Sequence, residues 1–244
     1  MTRLAVAAEV CAAFGDLRID AIVAAGFAGR QPWPEVDARL RALEADAVAG
    51  AAIDAAAAAE DDPHIASWHA AYRAFGTNPR RERPSVDALR RRLARSGRLP
   101  RINPAVDGYN LVSATFCVPA GAFDLRQVKG DIEVRFAEGS ELFTPLGEPG
   151  TAEHPRPGEV VYTDAVGVLT RHWNHRDADR TKVTEDSDLI VFLLETVEAT
   201  VFGSILDAAT GDLTALLRER SESVAVHRIT AGEPAVPVLE AAPS

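Results

Sequence analysis

The sequence predicts an α+β fold, with mixed or antiparallel sheets carrying covering helices, and three observations lead there. The first hundred residues hold alanine-rich and capped stretches with apolar residues near helical spacing. After about residue 130 the apolar period drops to two, with glycine and proline between the runs. A last helical pattern follows the most apolar run of the chain. At 244 residues the chain can bury a full core. Its 47% apolar and 25% charged residues are those of an ordinary globular protein. No apolar run reaches the length of a membrane span, and the N-terminus lacks a signal pattern, so the expected address is cytoplasmic with no membrane partner. Cys11 and Cys117 could form one bridge but make neither a disulfide framework nor a zinc pattern.

Residues 3–8 and 17–25 read as strands around a short helical turn from Glu9 to Phe14. Pro32 and Pro34 interrupt the chain, and Glu35 to about Glu60 then reads as a helix, with Val36, Leu40, Leu43, Ala47 and Ile53 near helical spacing. Asp62 and Pro63 supply an N-cap and a first-turn proline for a second helix through Ile65, Trp68, Tyr72 and Phe75, ended by Gly76. A third helix is expected to start with Ser85 as cap and Asp87 in its first turn, and to stop at Gly97. Leu99 to Val128 has too much punctuation for one long helix and too little polarity for a linker. Ile132, Val134 and Phe136 mark a strand, and Val160–Thr163 with Val166–Thr170 a hairpin about Asp164-Ala165. Leu189 to Leu194 is a continuous apolar run, read as a central strand ending in Glu195. A helix from about Thr200 to Arg220 and a strand from Val224 to Ile229 complete a single domain over 1–231. Residues 232–244, with three prolines, are expected to be a disordered tail.

The net charge of −10 disfavours general nucleic-acid binding, DNA included, but its distribution matters more than its sum. From Arg80 to Arg101 nine arginines stand against Glu82 and Asp87, so this window is +7 and the remainder −17. Such a chain repels polyanions except at one strip, where Arg90, Arg91, Arg92 and Arg95 are the candidate phosphate contacts. A solvated helix face accounts for the same residues, and both readings stay open.

No Gly-x-Ser-x-Gly elbow, phosphate-binding loop or dinucleotide glycine pattern is present, so no cofactor is expected. His172 and His175 bracket Trp173 and Asn174, but no Glu or Cys stands at a metal spacing and no metal is expected. Trp173 to Thr181 is the densest polar stretch. Trp173 can stack, Asn174 can donate and accept, and Arg176 and Arg180 can clamp a carboxylate or phosphate. Arg–Asp pairs that merely satisfy one another are the plainer account. Glu195 ends its apolar strand either in solvent or in a cavity, where burial would fit it for proton transfer or ammonium capture.

Together these residues resemble the B3/B4 domain of the phenylalanyl-tRNA synthetase beta subunit, and more closely its free-standing relatives. Asn103, Val106, Asp107 and Asn110 match the pattern N-x-x-V-D-x-x-N. Pro119, Ala122, Phe123, Asp124 and Leu125 match P-x-x-A-F-D-L. Tyr72-Arg73, Ser85, Trp173-Asn174, Arg176 and Arg180-Thr181 look like features of the free-standing branch, over a core of roughly residues 68–220.

The resemblance implies recognition of tRNA or aminoacyl-tRNA, with or without trans-editing hydrolysis of mischarged tRNA, but not a complete synthetase. The implied substrate-binding residues are Asn110, Trp173, Asn174, Arg176, Arg180, Thr181 and Glu195. Glu195 sits like the glutamate with which the synthetase recognises a tyrosine hydroxyl, and it is the one candidate catalytic residue. Two departures count against a tyrosine editor. Gly121 stands where the synthetase keeps a histidine, and Tyr109 where it keeps a threonine. The alternative function is a non-catalytic module that binds a free amino acid or similar small zwitterion.

Overall fold

The computed structural model describes residues 2–49 and 62–239. The chain runs β1 (Thr2–Val6), α1 (Ala8–Ala13), β2 (Arg18–Ala25), α2 (Pro34–Ala49), α3 (Pro63–Ala74), α4 (Ser85–Ser96) and α5 (Pro104–Phe116). It continues β3 (Ala120–Asp124), β4 (Ile132–Phe136), β5 (Val160–Thr163), β6 (Val168–Arg171), β7 (Arg176–Asp177), β8 (Leu189–Thr196), α6 (Ala199–Arg218), β9 (Ser223–Thr230) and β10 (Ala235–Leu239). Two sheets result, one in the order β10-β1-β4-β5-β6-β7 and the other β3-β8-β2-β9. β1 and β4 pair in parallel, and every other pairing is antiparallel.

The continuous apolar run of β8 has a direct cause: both of its faces are buried. Val191 and Leu193 face the first sheet, packing with Leu4, Ile132, Val134, Val160 and Tyr162. Ile190, Phe192 and Leu194 face a helical layer, packing with Leu40 of α2, Leu111 and Val112 of α5, and Leu206 and Leu213 of α6. Strand alternation then carries Glu195 into the layer between the sheets, on the row begun by Val191 and Leu193.

Two helix starts are capped as the sequence leads one to expect. Asp62 accepts from the backbone N–H of His64 and Ile65 at 2.9 and 3.3 Å, and Asn103 caps α5 through Val106 N at 3.0 Å. The cap of α4 differs from expectation. Pro84 takes the N-cap position, Ser85 is already helical, and its hydroxyl makes no hydrogen bond. Gly97 ends α4 at φ +65°, a conformation that suits glycine. The expected extension of α2 towards Glu60 falls partly outside the described residues.

Residues 235–239 correct the reading of a disordered tail. They form β10 against β1, and Pro237 is tolerated there because β10 is an edge strand. Cys11 and Cys117 are both free thiols, so the bridge that the sequence allowed is not formed.

Candidate functional site

Where β8 passes β3 and the ends of β5, β6 and β7, the gap between the sheets opens into a cavity of about 110 Å³. Its lining includes Ser85, Tyr109, Asn110, Gly121, Tyr162, Thr170, Asn174, Asp177 and Glu195. No lysine or arginine is among the lining residues. Gly121 matters by its lack of a side chain: a Cβ placed there meets nothing within 4 Å. It pairs with Leu193 on β8, so a larger residue at 121 would project into this space.

Glu195 is buried, 3% exposed, and its carboxylate takes three internal hydrogen bonds. Tyr162 Oη and Trp173 Nε1, the latter at 3.1 Å, donate to one oxygen; Asn174 Nδ2 donates to the other at 2.9 Å. Burial pushes its pKa up to about 7, against the downward pull of those three donors. Asn174 is fixed in turn by the Tyr72 hydroxyl, which donates to its Oδ1 at 2.9 Å. The result is a chain of donors from Tyr72 through Asn174 to Glu195.

Asp177, on β7, is the second carboxylate of the cavity. It receives one hydrogen bond, from Thr170 Oγ1 at 2.7 Å, across the β6–β7 pairing that sets the two residues opposite each other. Burial pushes its pKa up to about 6, and the Thr170 bond only partly opposes this.

The loop between β6 and β7 that delivers Trp173 and Asn174 is held in an unfavourable conformation. His172 and Trp173 have φ of +48° and +66°, a region in which bulky residues cost about 1–3 kcal/mol each. The surroundings over-determine it. Trp173 N donates to Val160 O at 2.7 Å, His172 N donates to Glu159 Oε1 at 3.1 Å, and the Thr77 hydroxyl bonds His172 Nδ1 at 2.9 Å. The Trp173 ring is 1% exposed and meets Phe14 and Trp68 edge-on, with centroids 4.9 and 5.3 Å away.

The residues expected to bind substrate therefore separate into two groups. Asn110, Trp173, Asn174 and Glu195 line the cavity together. Trp173 does so with its indole N–H, however, since its faces are committed to the aromatic core and offer no stacking surface. Arg176, Arg180 and Thr181 do not line it. Arg176 pairs with Glu148 at 2.6 Å and sits in an adjoining charged hollow with Arg171 and His172. Arg180 pairs with Asp164 at 2.7 Å and donates to Gln127 O at 2.7 Å. Thr181 is completely buried, its hydroxyl without a partner. The two guanidiniums are thus taken by groups of other segments, Glu148 for Arg176, and Asp164 and Gln127 for Arg180.

The four candidate phosphate contacts also divide. Arg90 donates to Ala114 O at 3.0 Å, and Arg91 to the buried Asp87 at 2.5 Å. Arg92 and Arg95 are exposed and reach no acceptor among the described residues. Helix rise places them about 10 and 15 Å along α4 from Ser85, which is at the cavity wall.

Sequence reasoning missed Tyr162, Thr170 and Asp177. Each lies on a short strand whose partner is remote in sequence or separated by a loop, so no local spacing announces that their side chains converge. The parity of the strands carried the only signal: Tyr162 shares its face with Val160, which is inward.

No curated protein matches this chain. Among solved structures, an N-terminal fragment of the phenylalanyl-tRNA synthetase beta-subunit from Pyrococcus horikoshii is similar at 16% identity and a TM-score of 0.42. The similarity covers 85% of this chain and 46% of that one, so this chain spans about half the length of the fragment. The family model for the B3/4 domain matches residues 67–206, which include every cavity-lining residue named above. With more than half of its length matched, this chain belongs to the B3/4 domain family.

Proposed function

We propose that this protein recognises the aminoacyl end of a tRNA, the amino acid entering the Glu195–Asp177 cavity while exposed arginines of α4 take backbone phosphates. The observation that carries the reading is the placement of one polar, acidic cavity at the start of the arginine helix, through Ser85. An acidic cavity suits a ligand with an ammonium group, and an exposed arginine strip suits phosphates. The reaction such a site supports is ester hydrolysis: water adds to the ester carbonyl, the bond from the acyl carbon to the tRNA oxygen breaks, and that oxygen takes up a proton to leave as the tRNA hydroxyl while the amino acid departs as its carboxylate. Ser85 Oγ has no base beside it, and this reading assigns the attack to water.

A deacylation assay over tRNAs charged with different amino acids tests this. Faster release than in protein-free controls for at least one small amino acid is the expected result. Neither tRNA binding at low salt nor deacylation of any member would refute it. The inward commitment of Arg90 and Arg91 favours a second reading, a module binding a free amino acid or small zwitterion. The two separate by salt: phosphate contacts release counterions and weaken steeply as salt rises, and small-ligand binding here would not.

A further inference from the structure

We propose that Asp177 is the residue that receives the ligand's ammonium group, and that the cavity is built for a small amine rather than for a phenol. The proposal deepens the reading of the cavity as an aminoacyl site and rests on it. Its geometric basis is the contrast between the two carboxylates that share this space.

A carboxylate has about four lone-pair positions. Glu195 has three occupied by Tyr162, Trp173 and Asn174, all donors from the protein itself. In particular the Tyr162 hydroxyl, delivered from inside the sandwich, occupies Glu195 as a ligand phenol would. Asp177 has one position occupied, by Thr170. Among the described residues no lysine, arginine or histidine forms an ion pair with it, whereas the buried Asp20, Asp87 and Glu159 are each paired with an arginine. A carboxylate left without a cation inside a cavity is the arrangement that an incoming ammonium completes.

Two further features of the lining fit a small amine. Ser85, at the same wall, has a hydroxyl without a hydrogen-bond partner, so a rotation of that side chain towards the cavity would offer an ammonium a second acceptor. Gly121 keeps the wall open, while Tyr109 and Tyr162 narrow the remaining space, leaving about 110 Å³. That volume suits a short side chain. A ligand tyrosine would have to displace Tyr162 to reach Glu195.

The test uses the full-length protein and two probes, L-alaninamide and N-acetyl-L-alaninamide, with binding followed by ligand-observed NMR. Wild type should bind the free amine at least about tenfold more tightly than the acetylated form. Asp177→Asn retains an acceptor for Thr170 and should remove that difference. The wild-type comparison needs no variant, so it holds even if Asp177→Asn fails to fold. Equal binding of both probes to wild type, or no binding of the amine at tens of millimolar, would overturn the proposal. Binding through Asp177 without any tRNA affinity would support the amine site and refute only the tRNA reading. Affinity for tRNA with no effect of acetylation would refute the amine site alone.

Discussion

The Tyr162 hydroxyl of β5 donates to the Glu195 carboxylate of β8, joining the two sheets at the wall of the cavity. Both groups are buried, and the pair ties the inner faces of the two sheets beside the apolar core. Removing the donor leaves Glu195 with Trp173 and Asn174. Tyr162→Phe should therefore cost roughly 1.5–3 kcal/mol in chemical denaturation above pH 7, where a hydrogen bond to the charged carboxylate is lost at unchanged shape.

Glu195 also sets a pH dependence. Its folded pKa, about 7, lies above the ordinary carboxylate value of 4.5. The folded state holds its proton more tightly, so stability from this group is present below pH 4.5 and is lost as pH rises through 7. Buried His64 and His172, both pushed down to about 4 by burial, act oppositely between pH 4 and 6.5. The comparison of variants isolates the carboxylate. Glu195→Gln, measured by thermal denaturation from pH 4.5 to 7.5, should gain stability relative to wild type as pH rises.

Gly121 offers a test of the cavity without touching its polar groups. Its backbone is ordinary extended strand and a Cβ has open space, so Gly121→His should change stability by less than about 1 kcal/mol. The side chain would fill the cavity, and binding of L-alaninamide should be lost. Thermal denaturation and NMR titration of the same sample check both halves.

The arginine helix makes a quantitative prediction of its own. Arg92 and Arg95 are exposed, whereas Arg90 and Arg91 are held inward. Arg92→Ala and Arg95→Ala should each reduce the slope of log affinity for tRNA against log salt by about 0.7–0.9. Arg90→Ala should act on stability instead, through its bond to Ala114 O.

Much of the fold was legible in the sequence because its signals are local. Asp62-Pro63, Gly97 and the alternation of Ile132, Val134 and Phe136 each state a structure within a few residues. Ser85 misled because proline before it fixes the backbone at the helix start and takes the cap position. Pro237 misled because a proline-rich stretch reads as tail, yet an edge strand accepts it. The site was only partly legible. Glu195 stood out as a charge ending an apolar run, whereas Tyr162 joins it through pairing with a strand remote in sequence and Asp177 from a strand only two residues long. Arg176 and Arg180 looked like ligand clamps because guanidinium chemistry is the same whether the carboxylate belongs to a ligand or to the protein. Here Glu148 and Asp164 take them.

The most direct test of the central claim compares one tRNA in two states, uncharged and carrying alanine through a hydrolysis-resistant amide. Wild type should bind the charged form about tenfold more tightly, and Gly121→Trp, which fills the cavity, should bring it to the affinity of the uncharged form. Equal affinity of wild type for both forms would contradict the placement of the aminoacyl group beside Glu195 and Asp177.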